Sequence, residues 1–185
     1  TGCGMKEISL NILDIAENSV KAGAALTEIA VDETEDTLTL KIRDNGCGMS
    51  AETLKAVTDP FYTTRTTRKV GMGLPLLKME AEQTGGKFAI TSKSESEYPK
   101  DHGTEVTAVF NKKHIDYTPL GDVASSIVTL IQGHPDTDFL FTHNSAGKNV
   151  ILDTRELRTV LEDVPLNSYE VLNWINNFLR EEENK

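Results

Sequence analysis

Asp44-Asn45-Gly46-Cys47-Gly48-Met49 sets a carboxylate directly before two glycines, and these residue types invite chemistry. Glycine has no Cβ and accepts positive φ, so a flat ligand can lie against backbone there while Asp44 offers it an acceptor. An ordinary Asp-Asn-Gly turn has the same composition. A second group is Asn11, Asp14, Asn18 and Lys21, whose spacings of three and four residues put them on one helical face. Such a stripe can simply be solvated. Asn and Asp are nevertheless poor helix-interior residues. Two amides and a carboxylate in line can hold a hydrated Mg²⁺, which takes oxygen ligands and keeps several waters. The third group is the run 61–73, rich in hydroxyls, with Arg65, Arg68 and Lys69 and no apolar periodicity. It reads as a mobile loop over an anionic ligand, or else as a solvent-exposed linker. It ends in Gly71-Met72-Gly73, which opens a helix whose N–H groups and dipole favour phosphate.

Periodicity names the elements that must position these groups. Ile8, Ile12, Ile15, Ala16 and Val20 form the apolar stripe of a helix over 6–21, with Gly23 as its C-cap. Strands over 26–32 and 37–43 follow, the second alternating Leu38, Leu40 and Ile42 with polar residues; together they make a hairpin with one buried face. That hairpin delivers the chain to Asp44. Ser50 caps a short helix that stops before Asp59-Pro60. Leu74, Leu77, Ala81 and Thr84 share a face of the next helix, which Gly85-Gly86 ends. Strands over 87–93 and 103–110 close this part. Helix, two strands, short helix, loop, helix, two strands predicts an α/β (α+β) two-layer sandwich, a mixed antiparallel sheet covered by helices on one face.

The totals bound the rest. A chain of 185 residues with 38% apolar and 26% charged residues can bury a real core. A net charge of −10 argues against a nucleic-acid surface and against an anionic membrane surface. No apolar run approaches a membrane span, and there is no signal-peptide pattern. Cys3 and Cys47 have neither CxxC nor His-cluster context, so no zinc site or disulfide framework is expected, and a reducing cytoplasm is the simplest compartment. Met5 resembles a natural initiator, which would make 1–4 a cloning remnant.

Four motifs, in order over residues 6–111, together resemble the GHKL superfamily of ATPases, the gyrase, heat-shock chaperone, histidine kinase and mismatch-repair type. Asp14-Ile15-Ala16-Glu17-Asn18 through Ala24 is similar to the N-box, and Asp44 to Met49 to the first glycine box. Asp59 to Arg65 with Gly71-Met72-Gly73-Leu74 resembles the elements flanking an ATP lid, and Gly103-Thr104 the start of the last motif strand. The resemblance implies a Bergerat-type fold over 1–113 that binds ATP and Mg²⁺. Asp44 would accept from the adenine amino group, with Thr104 in support and Gly46, Gly48 and Met49 against the base. Asn18 would bind Mg²⁺ through its side-chain oxygen, and Lys21 would reach a phosphate. Gly71, Met72, Gly73 and Leu74, with Thr63, Thr64, Arg65 and Lys69 of the lid, would hold the phosphates.

One departure bears on activity. Hydrolysing members usually carry glutamate four residues before the Mg²⁺ asparagine, as general base; here that residue is Asp14, one methylene shorter. The expectation is robust nucleotide binding with slow hydrolysis, or Asp14 assisting transfer to a bound acceptor. With the N-box at its start, the sequence is expected to lack the dimerising hairpin that carries the phosphoacceptor histidine in histidine kinases. That implies a regulatory, signal-transducing kinase acting on a separate protein partner, as anti-sigma serine kinases do, or else a nucleotide-gated interaction protein. His114, followed by Thr118-Pro119-Leu120, resembles a phosphoacceptor box but lacks the acidic neighbour; a plain strand-to-helix connection is the other reading. Residues 114–185 lie outside the resemblance and read as an α+β extension. A helix to about 132, a hairpin over 138–152 and helices over 154–162 and 168–182 are expected there. The extension either docks a partner or completes the fold. His134 and His143 are expected at the surface rather than as metal ligands.

Overall fold

The structure is a computed structural model that describes residues 7–59 and 73–185. Helix α1 spans Ile8–Lys21 and buries Ile8, Ile12, Ile15 and Ala16, the stripe its spacing predicts. Its first N–H groups, on Ile8 and Ser9, donate to the carbonyls of Pro119 and Leu120 at 3.0 and 2.8 Å. A distant segment therefore caps the helix. Gly23 leaves it with φ +76°, a conformation glycine takes without strain.

Strands β1 (Leu26–Glu33) and β2 (Thr37–Asp44) form the antiparallel hairpin. Ser50 caps α2 (Ala51–Thr58), its side chain accepting from the Thr53 N–H. Helix α3 (Gly73–Gln83) buries Gly73, Leu74, Leu77 and Ala81. Strands β3 (Lys87–Lys93) and β4 (Gly103–Asn111) pair antiparallel, and β4 pairs with β2. Then come α4 (Val123–Gly133), β5 (Asp138–Ser145), β6 (Lys148–Asp153), α5 (Thr154–Leu161) and α6 (Tyr169–Asn184).

The strands make one six-stranded sheet in the order β3-β4-β2-β1-β5-β6. It is mixed: β5 runs parallel to β1, and the other pairs are antiparallel. Leu40, Ile42, Val106, Phe110, Phe139 and Phe141 are buried on the helix-covered face. The opposite face carries ion pairs such as Lys41 with Glu105 and Arg43 with Glu28. Residues 114–185 thus add two strands to the sheet, and Ile127, Leu130 and Phe141 join the same core cluster as Ile12 and Leu40. Among the described residues, no helix is long and apolar enough to cross a membrane.

Register does the positioning. Thr27, Asp44, Thr104 and Ser92 face one another across β1, β2, β4 and β3. Asp44 continues the alternation of Leu40 and Ile42, so its carboxylate rises on the helix-covered side, where the polar face of α1 passes over it.

Candidate functional site

Both carboxylate oxygens of Asp44 are held. Oδ2 accepts from the Ser19 hydroxyl at 2.7 Å and Oδ1 from the Gly46 N–H at 2.9 Å. An ionised carboxylate still has lone pairs beyond these two, so a third donor can approach. The turn beneath it is tightly seated. Gly48 sits at φ +64°, and a Cβ there would fall 1.9 Å from the Lys93 carbonyl oxygen. Gly103, across the turn, would place a Cβ 2.0 Å from the Asp44 carbonyl oxygen. Only glycine fits such approaches. Ser92 ties the neighbourhood together: its hydroxyl accepts from the Met49 N–H at 2.8 Å and bonds the Thr104 hydroxyl at 2.8 Å.

Above this floor lies a cavity of about 570 Å³, within the size range of small-molecule sites. Asn18, Lys21, Asp44, Gly48, Met49, Leu74 and Thr104 of the predicted residues line it, with Ile15, Ile42 and Val106 as apolar walls. Apolar walls around one fixed carboxylate suit a flat, hydrogen-bonding ring. Gly46 is buried beneath the floor rather than lining it. Gly73 stands against α1, where a Cβ would lie 3.4 Å from the Asp14 Cβ and 4.0 Å from Asn18 Nδ2. The start of α3 therefore meets the N-box stretch. Asp14 is exposed and does not line the cavity. Thr63, Thr64, Arg65, Lys69, Gly71 and Met72 lie outside the described residues.

Two members of the polar stripe on α1 have different fates. Among the described residues, Asn18 Nδ2 is buried without a hydrogen-bond partner. Asn11 is spent elsewhere: its Nδ2 donates to Glu80 Oε2 of α3 at 2.5 Å. Glu17 points aside, its carboxylate bonded to His134 Nε2 at 2.8 Å. His143 likewise contacts Glu33 at 2.8 Å, and among the described residues no cluster of three metal-ligating side chains occurs. His114 follows the far end of β4, whose nine residues span about 30 Å from Gly103, beside Asp44. Its Nδ1 accepts from the Asp116 N–H at 3.1 Å.

Sequence reasoning missed Ser19 and Ser92. A signal for Ser19 was present: it falls on the buried stripe of Ile12, Ile15 and Ala16, and a buried hydroxyl needs a partner. Ser92 has no local signal, because its role depends on a cross-strand register.

Comparison with known proteins places these features. The family model described as "Histidine kinase-, DNA gyrase B-, and HSP90-like ATPase" matches residues 5–114. Sensor protein SrrB of Staphylococcus aureus is 34% identical over 93 residues, 48% of this chain and 16% of that protein. The chain spans about a sixth of the length of the curated relatives it matches. Among solved structures, the MutL ATPase domain of Aquifex aeolicus complexed with ADP is similar at TM-score 0.56 and 16% identity, over 86% of this chain and 70% of that one. The N-terminal domain of a DNA repair protein is similar at TM-score 0.52 and 15% identity, over 80% of this chain and 52% of that one. At these identities the likeness is one of fold.

Proposed function

The chain belongs to the histidine kinase-, DNA gyrase B- and HSP90-like ATPases, and from that premise we propose that its cavity binds Mg-ATP for phosphoryl transfer to a separate protein partner. The observation that carries the binding half is Asp44, fixed by Ser19 and Gly46 on the floor of a mostly apolar cavity. A remaining lone pair accepts from the adenine 6-amino group, where guanine carries an acceptor oxygen instead. Thr104, held by Ser92, supports the ring. Lys21 and the N–H groups at the start of α3, from Gly73 and Leu74, meet the phosphates. Thr63, Thr64, Arg65, Lys69, Gly71 and Met72 belong to the same reading.

The residues suit Mg²⁺. Asn18 is an amide side chain in the cavity with its Nδ2 unpartnered, and one amide oxygen with phosphates and waters is enough for that ion. Bound there, the ion would neutralise phosphate charge. Slow hydrolysis is supported by Asp14, which is exposed and outside the cavity lining. A general base must come within hydrogen-bond reach of its water.

A second reading, nucleotide gating of a protein contact without transfer, is favoured by one observation. Pro119 and Leu120 cap α1, and the Ser126 hydroxyl donates to the Ser9 carbonyl at 2.8 Å, so the C-terminal part is stitched to the N-box helix. In this reading residues 114–185 dock the partner. The test uses ATP labelled at its γ-phosphate. The protein is incubated with a cell extract, and labelled products are separated from partners retained only when ATP is present. Labelled protein supports transfer, and ATP-dependent retention without label supports gating. Absence of calorimetric Mg-ATP binding refutes both.

A further inference from the structure

The floor of the nucleotide cavity is a thin wall. Behind it, on the open side of the sheet, lies a second cavity of about 560 Å³ lined by Arg43, Lys93, Lys100 and His102. Asp44 and Thr104 line both cavities. No apolar core can brace the turn from behind, so hydrogen bonds must hold its shape.

Those bonds are specific. The peptide joining Gly46 to Cys47 is clamped at both ends. Its N–H, on Cys47, donates to the Ala22 carbonyl at the end of α1 at 2.9 Å. Its carbonyl, on Gly46, accepts from His102 Nδ1 at 2.5 Å. The Gly46 N–H then pins Asp44 Oδ1. The next peptide is held through its carbonyl, on Cys47, by the Glu95 N–H at 2.8 Å. Of these four bonds, one comes from a side chain remote in sequence, His102. Its other ring nitrogen, Nε2, lies 4.0 Å from Glu95 Oε1 on the outer side. Since a carbonyl accepts, Nδ1 must carry the proton.

We propose that His102 is a positioning residue for nucleotide binding: by gripping the Gly46 carbonyl from behind the wall, it fixes the plane of the turn and hence the Asp44 carboxylate. The inference rests on the nucleotide reading of the cavity. His102 touches no ligand in it. It acts through Gly46, so its contribution belongs to the base and is the same for ATP and ADP.

Geometry supplies a test that separates positioning from bulk. The amide nitrogen of asparagine stands two bonds from Cβ, as Nδ1 of histidine does. That of glutamine stands three bonds away, as Nε2 does. His102→Asn therefore keeps a donor for Gly46, whereas His102→Gln and His102→Ala lose it. Loss of one hydrogen bond of ordinary net strength corresponds to about fivefold to tenfold in affinity. Mg-ATP and Mg-ADP are titrated by calorimetry into the full chain and the three variants, with thermal melts of the ligand-free proteins beside them. The expected result is affinity within about twofold of wild type for His102→Asn. Losses of about fivefold to tenfold for Gln and Ala, equal for both nucleotides, complete the expectation. Equal affinities in all four proteins overturn the proposal. So does a loss that tracks melting temperature across all three variants, Asn included. If the wild type itself does not bind, the nucleotide reading fails instead, which the comparison among variants cannot produce.

Discussion

Replacing Asp44 with asparagine separates what the carboxylate does for the fold from what it does for a ligand. In the folded chain Oδ1 accepts from the Gly46 N–H at 2.9 Å and Oδ2 from the Ser19 hydroxyl at 2.7 Å. An asparagine can keep its oxygen toward Gly46, whose N–H has no alternative role. Its NH₂ then faces Ser19. A hydroxyl rotates, so Ser19 can accept from that NH₂ and turn its own proton to the Ile15 carbonyl, already 3.4 Å away. The fold therefore loses little, of the order of 1 kcal/mol, the net worth of one hydrogen bond. The ligand loses far more. In the proposed ATP complex the lone pair assigned to the adenine amino group is replaced by N–H, which removes a charge-assisted bond worth about 1.5–3 kcal/mol and leaves a desolvated donor costing about 1–3 kcal/mol. The sum, about 2.5–6 kcal/mol, corresponds to roughly 10²- to 10⁴-fold weaker binding at about 1.4 kcal/mol per decade. Calorimetric titration of Mg-ATP measures the second effect, and a melt of the ligand-free protein measures the first. Unchanged affinity in Asp44→Asn refutes the adenine assignment. A collapse of the melt shows instead that the carboxylate is structural.

Gly48→Ala and Gly85→Ala form a matched pair at similar backbone angles, φ +64° and +75°. Both carry the left-handed strain of about 1–2 kcal/mol, but only Gly48→Ala drives a Cβ into the Lys93 carbonyl, so it should melt several degrees below Gly85→Ala. Asp14→Asn should leave Mg-ATP affinity within about twofold, the scale of a minor surface change, because Asp14 does not line the cavity; phosphate release should already be slow in the wild type, and fast turnover abolished by this variant contradicts the slow-hydrolysis reading. For acid stability the relevant group is Glu33: burial alone would raise its pKa, but hydrogen bonds and charge from Lys112 and His143 outweigh burial and hold it below the usual glutamate range. A carboxylate depressed in the folded state stabilises it above the unfolded pKa, and that contribution fades as pH falls through the folded value. Denaturant titrations should therefore show stability dropping below about pH 4.5, and Glu33→Gln should flatten that part of the profile.

The helix-covered sheet was legible because its buried faces repeat locally. The expected helix over 6–21 and strand over 37–43 differ from α1 and β2 by a residue or two at their ends. What local pattern does not encode is which strand lies next to which. The alternation in β5 states that Phe139 and Phe141 are buried; it cannot state that they lie opposite Thr27 and Ile29 in a parallel pair, a neighbour relation decided by total burial of the core. The same division runs through the site. Asp44, Asn18, Gly48 and Gly73 carry signals of their own: a carboxylate before glycines, a poor helix former inside a helix, a glycine in that turn and a glycine opening a helix. Ser19, Ser92 and His102 support the site through Asp44, Thr104 and Gly46, which lie 25, 12 and 56 residues away in sequence. A ligand selects for groups with particular atoms, which residue type reveals. The groups that hold those atoms still need only a donor at the right place, and many residues can supply one. The partners of the supporting hydrogen bonds are therefore the part of such a site that coordinates reveal, and these bonds are where substitutions should alter affinity without removing any group that touches the ligand.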